Sequence, residues 1–284
     1  MKAILLPTDF SKNSINAIDY AMELFKDETC EFYVINIQKA SAFVSDDLMT
    51  MSSSATIYQT LIDTAKHSIT NVIKEMKQKY RNENHEFYSI VDYDNFVDGI
   101  NQICAAKAID LIVMGTKGAS GAEKVIFGSN TARVMQRCST PVLAIPDGCM
   151  FSGLDKIAFP SDYLSLYNKE EIEPLVHISN LYNAKIDVLH LTNKETLSQG
   201  QENNRAFLDN CFSGLTHEFV DLEKKDIFET VQQYIKDNDI KMLAMMSRRH
   251  SFLERLFARH LVETFAFKID VPFLVMENTG DHNT

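Results

Sequence analysis

The chain of 284 residues contains only ten glycines, yet Gly115, Gly118, Gly121 and Gly128 all fall within MGTKGASGAEKVIFGSN, residues 114–130. Glycine lets backbone approach a ligand closely, at a cost in conformational entropy. A glycine-poor chain that crowds them directly after the apolar run LIVM therefore needs a local reason. A strand, a glycine-rich loop and then a helix is a recurring arrangement for holding phosphate. Loop N–H groups converge on the anion, and the helix N-terminus adds partial positive charge. The spacing is Gly115, two residues, Gly118, nine residues, then Gly128–Ser129. It is not a P-loop, since no GKS or GKT follows, and it is not the dinucleotide GxGxxG. The same residues have a structural reading: Gly115 and Gly118 would permit tight helix–strand packing, and Ser129–Asn130 would cap the next helix.

Little else in the chain offers chemistry. No Ser-His-Asp or Cys-His set follows from order and spacing, HExxH is absent, and no paired carboxylates flank the loop. Hydrolysing ATP requires a positioned water, charge stabilisation and usually a base. Only a phosphate cradle is visible, so the expectation is a binding protein with at most slow ATP turnover. The five cysteines form no CxxC and no Cys/His spacing, which fits small buried thiols in a reducing compartment. His250 and His260 stand ten apart with no third ligand, so zinc is not expected.

The elements that must position the loop alternate between two periodicities. Apolar runs at 2–8, 32–37, 87–91, 111–114 and 141–145 read as strands. Helical patterns separate them, capped by Ser11 before the first and running from about 56 to 80, 96 to 106 and 130 to 137. Alternation of this kind signals a parallel sheet covered on both faces. The order then repeats: KAILLPTDFS resembles KIAFPSDYLS, with Pro7 meeting Pro160 and Asp9 meeting Asp162. Residues 113–145 lie over 244–276 without a gap, and Pro141 meets Pro272. Two copies of one α/β domain are expected, at 1–148 and 153–284. The boundary falls in DGCMFSGLD.

The spacing Gly-x2-Gly-x9-Gly-Ser, placed after the fourth strand with Asp9 at the end of the first, resembles that of the universal stress protein family. The tandem repeat makes the whole chain similar to a two-domain member. The resemblance implies five-stranded, Rossmann-like parallel sheets of the adenine-nucleotide α-hydrolase-like kind. It also implies ATP (or ADP or AMP) on this loop, with magnesium or manganese riding on the phosphates, and a stress-response or signalling role. Carried over, Pro7, Thr8 and Asp9 lie by the adenosine end and Ile37 offers backbone to adenine. Met114, Gly115 and Gly118 let the loop approach ribose and phosphate, and Lys117 adds charge. Gly128, Ser129 and Asn130 hold phosphates. Asp9 also has a plainer reading, as a turn residue before the first helix. The family's habit of pairing fifth strands implies that 141–145 and 272–276 pair within one chain as a pseudo-dimer, leaving a homodimer open.

The second copy departs from the pattern. Met246, Arg249, Arg259 and His260 stand where the first has Gly115, Gly118, Gly128 and Ser129. Side chains with a Cβ resist positive φ and occupy the space a phosphate needs. Nucleotide is therefore expected in the N-terminal half alone. The Arg/His-rich segment 247–260 reads either as an anion site or as a surface amphipathic helix. The net charge is −11. Residues 1–150 carry 14 basic and 18 acidic groups (14 − 18 = −4), and the remainder 14 and 21 (14 − 21 = −7). Neither half is a nucleic-acid module. No run reaches the roughly 18 apolar residues of a membrane span, and no signal peptide is evident, so a soluble, cytoplasmic protein is expected. The alternative function is an interaction protein acting through a partner, without nucleotide.

Overall fold

The computed structural model describes residues 2–38, 51–116, 128–164, 167–192, 196–223, 226–247 and 270–277, with 51–59 described by backbone alone. Lys117, Gly118, most of the Arg/His-rich segment and the last seven residues lie outside this set. The chain divides into two compact units; among the described residues the first ends at Thr140 and the second begins at Pro141.

The first unit runs β1 (Lys2–Pro7), α1 (Lys12–Leu24), β2 (Cys30–Gln38), α2 (Met51–Tyr80), β3 (His85–Tyr93), α3 (Phe96–Lys107), β4 (Leu111–Gly115) and α4 (Ser129–Arg137). Its strands pair in the order β3-β2-β1-β4, every described pairing parallel. Crossover helices cover both faces of such a sheet, so its central strands are apolar without alternation. Ile4, Leu5 and Leu6 of β1 and Ile112 and Val113 of β4 are fully buried, each worth about 1.5–3 kcal/mol of transfer free energy. α1 begins where the Ser11 hydroxyl accepts from the Ser14 N–H. Ala17, Ile18, Ala21 and Met22 fill its inner face.

The second unit opens with β5 (Val142–Ile145) and continues through β6 (Lys156–Pro160), α5 (Lys169–Tyr182), β7 (Lys185–Thr192), α6 (Gln199–Cys211), β8 (His217–Glu223), α7 (Ile227–Asp237), β9 (Met242–Ser247) and β10 (Phe273–Glu277). Its strand order is β5-β10-β9-β6-β7-β8. β6 to β10 are mutually parallel, which reproduces the five-strand layout expected for one repeat. β5, contributed by the first repeat, joins antiparallel to β10 with Leu274 opposite Leu143. Met242, Met245 and Met246 are buried among these strands, as core-filling methionines should be. No helix among the described residues is long and apolar enough to cross a membrane. Cys30, Cys104 and Cys138 are buried free thiols.

Candidate functional site

β1 ends in a loop that is fixed on all sides. The Thr8 N–H donates to the Ile35 carbonyl (2.8 Å), and the Asn36 Nδ2 donates to the Thr8 carbonyl (2.7 Å). The Thr8 hydroxyl lies 2.9 Å from that of Ser14 and accepts from the Phe10 N–H (3.0 Å). Phe10 takes a left-handed conformation, φ 64°. Asp9 Oδ1 accepts from the Ser11 N–H at 3.0 Å while the side chain stays exposed. Asp9 thus shapes the turn and still presents charge to solvent.

Ile37 lies two residues beyond the last β1–β2 pair, Pro7 with Ile35. In a strand, main-chain groups two residues apart point the same way. The Ile35 carbonyl turns toward β1, so Ile37 offers its N–H and C=O on that same side, past the end of β1. On the other flank, β1 pairs β4 with Ile4 beside Leu111. Carrying that register forward sets Pro7 beside Met114 and Thr8 beside Gly115.

Gly115 is buried, and its reason for being glycine is visible. A Cβ there would stand 2.8 Å from Asn13 Nδ2 and 2.9 Å from the Asn13 main-chain oxygen. Glycine therefore lets α1 seat against the end of β4, which is the structural reading of that position. The Gly115 carbonyl accepts the Thr131 hydroxyl at 2.8 Å, and the Gly128 N–H donates to the Thr116 carbonyl. The end of β4 and the start of α4 are thus joined by two bonds. Gly128 is the N-cap of α4 in extended conformation, with no side-chain cap. Ser129 and Asn130 are therefore the first two helical residues and not caps. Helix geometry leaves the N–H groups of Ser129, Asn130 and Thr131 without intrahelical partners, and the first turn carries no acidic residue. An uncapped start with no competing carboxylate suits an anion.

Of the residues expected at the site, Pro7, Thr8, Asp9, Ile37, Met114, Gly115, Gly128, Ser129 and Asn130 gather at the carboxyl ends of β1, β2 and β4 and the start of α4. Lys117 and Gly118 fall outside the described residues. Sequence reasoning missed Asn13, Asn36 and Thr131, three buried polar residues whose only sequence signal is a polar side chain at an otherwise apolar position. Among the described residues no group of three His, Cys, Asp or Glu is placed to hold a metal ion.

The second unit keeps the turn. The Ser161 N–H donates to the Leu189 carbonyl, Ser161 Oγ accepts from the Tyr163 N–H, and Asp162 Oδ1 accepts from the Leu164 N–H. Tyr163, at φ 54°, is only 1% exposed and lies on the His190 ring at 4.5 Å. α6 holds it there: Gln201 Nε2 donates to the Asp162 carbonyl and Asn204 Nδ2 to the Tyr163 carbonyl. His190 Nδ1 lies 3.0 Å from Asp221 Oδ1. Met246 is buried at the Gly115 position; Arg249, Arg259 and His260 lie outside the described residues.

Comparison with known proteins agrees with this layout. The model of the universal stress protein family matches residues 1–146. The universal stress protein MJ0531 of Methanocaldococcus jannaschii is 31% identical over 145 residues, 51% of this chain and 81% of that protein. YxiE of Bacillus subtilis, also a universal stress protein, is 23% identical over 146 residues, covering 50% and 97%. Among solved structures, a universal stress protein from Archaeoglobus fulgidus superposes with a TM-score of 0.69 at 19% identity, covering 98% of this chain and 97% of that one. At that identity the likeness is one of fold, and it extends through both repeats.

Proposed function

The chain belongs to the universal stress protein family, and from that premise we propose that its N-terminal half is an adenine-nucleotide-binding stress or signalling module, with ATP as ligand. The observation that carries this reading is the uncapped, acid-free start of α4, hydrogen-bonded to the end of β4 beside the β1 turn. Pro7, Thr8, Asp9 and Ile37 take the nucleoside, with the Ile37 main chain meeting the edge of the base. Met114, Gly115, Lys117 and Gly118 border ribose and phosphate. Gly128, Ser129 and Asn130 receive the phosphates through N–H groups and the Ser129 hydroxyl. A hydrogen bond to a charged oxygen contributes about 1.5–3 kcal/mol, so two or three such donors outweigh the helix dipole's 0.3–1 kcal/mol or so.

Magnesium or manganese arrives with the phosphates, which supply the oxygen ligands that hard cations favour. Among the described residues of the site Asp9 alone carries a carboxylate, and it serves its own turn, so turnover is slow at most. The division of labour follows the repeats. Residues 1–148 carry the nucleotide, and 153–284 form a degenerate copy that binds none. A net charge of −11 opposes nucleic-acid partners, and the working compartment is the cytoplasm. Calorimetric titration of the full chain with ATP tests the reading. It should show one site per chain, and Gly118→Arg, which copies Arg249, should abolish binding without unfolding the protein. Two equivalent sites, or none, contradict the proposal.

A further inference from the structure

Thr131 has no assigned role, and its placement is unusual for a helical threonine. Hydroxyls inside a helix ordinarily bond back to the carbonyl four residues earlier. In α2, Thr64, Ser68 and Thr70 do so, to Thr60, Thr64 and Lys66. Thr131, the third residue of α4, instead reaches sixteen residues back in the chain to the Gly115 carbonyl at 2.8 Å. Its side chain is buried (3% exposed), and its hydroxyl proton is given to Gly115. What it joins are the last residue of β4 and the turn that carries the N–H groups of Ser129 and Asn130. The Gly128 N–H to Thr116 carbonyl bond fixes the translation of that turn. The Thr131 bond, three residues on and to the neighbouring Gly115 carbonyl, is a second point of attachment, and two points fix an orientation that one would leave free to pivot.

We propose that Thr131 is the positioning residue for the phosphate end of the site: its bond to Gly115 aims the free N–H groups of α4. The inference rests on the nucleotide reading above. It is specific to the anionic part of the ligand, since Thr8, Asp9 and Ile37 are held by a separate set of bonds centred on Asn36 and Ser14. The aligned residue of the second repeat is Val262, nearly the same shape with no hydroxyl to give.

The test compares ATP and adenosine binding by the full chain as wild type, T131V, T131S and T131C. Losing the bond should weaken ATP about fivefold, the value of one net hydrogen bond, and leave adenosine within about twofold. T131S should restore wild-type ATP binding. T131C, whose thiol is a weak donor of similar volume, should fall between and keeps the test open if T131V folds poorly. Equal ATP affinity in T131V, or in T131C should T131V not fold, overturns the proposal. So does a parallel loss of ATP and adenosine, the mark of a general packing defect. A wild type that binds adenosine and ATP equally also overturns the role assigned to Thr131 while sparing the base site. A wild type that binds neither removes the nucleotide reading and this inference together.

Discussion

The turn after β1 and the turn after β6 share one backbone and differ in what fills it. In both, the hydroxyl residue donates its N–H to the second strand, accepts from the residue two on, and is followed by an aspartate that closes the turn. In both, the next residue is an aromatic at positive φ, Phe10 or Tyr163. Even the Thr8–Ser14 contact has a counterpart, Ser161 with Tyr167 at 2.8 Å. Around this shared frame the first unit leaves Phe10 half-buried and Asp9 exposed. The second seals Tyr163 beneath α6 and against His190. The same backbone hydrogen bonds thus build both turns, and the side chains around them decide how deeply the aromatic is buried.

Truncating the aromatic gives the widest contrast. Tyr163→Ala should cost about 3–5 kcal/mol, as for a large fully buried ring, whereas Phe10→Ala should cost about 1 kcal/mol. Urea denaturation of both variants measures the difference, and equal losses would break the comparison. Next is Gly115→Ala, expected to lose about 1–3 kcal/mol because the new methyl meets the Asn13 main-chain oxygen as well as its side-chain amide, and backbone cannot yield as a side chain can. Ordinary stability there would mean that α1 shifts freely, and with it the site. A smaller effect, of opposite sign, sharpens the account of the seal. The buried Tyr163 hydroxyl has no hydrogen-bond partner among the described residues, so Tyr163→Phe should leave stability unchanged or raise it by up to about 1 kcal/mol. A loss would show that the hydroxyl is bonded in solution.

The weakest effect is a pH response at His85 in the first unit. Burial pushes His85 below its ordinary value of 6.5, partly offset by its ring N–H donating to the Phe25 carbonyl. A histidine with a depressed folded value binds fewer protons folded than unfolded. Its contribution is therefore complete above pH 6.5 and is lost as pH falls below it. Denaturation at pH 7.5 and pH 5 should show this slope, and His85→Phe should flatten it.

Much of this was legible in the residues themselves. Strands buried on both faces announce themselves as continuous apolar runs, and the run at 111–114 became β4 with one residue added. β2, β3 and β4 proved one or two residues longer at an end than their apolar runs, because ladder bonding continues past the run, as at His85 and Tyr93 of β3, while β1 and β5 each proved one residue shorter. α2 starts at Met51 and not near 56, since serines give no periodic signal. The glycine at 115 stood out in the sequence, yet its packing against α1 could not be read without knowing that Asn13 lies against it. Thr131 and Asn36 were invisible because their bonds span sixteen and twenty-eight residues. The Tyr163 seal was missed for the same reason: the helix that holds it lies some forty residues on, at Asn204.

The central claim is that one half of the molecule accepts a nucleotide and the other has closed against it. A crystal structure of the full chain grown with ATP tests it most directly. The account predicts density for one nucleotide, its phosphates against the N–H groups of Ser129 and Asn130, and Tyr163 unmoved in the second half. An empty first half, or a nucleotide lying against Tyr163 and His190, would contradict it.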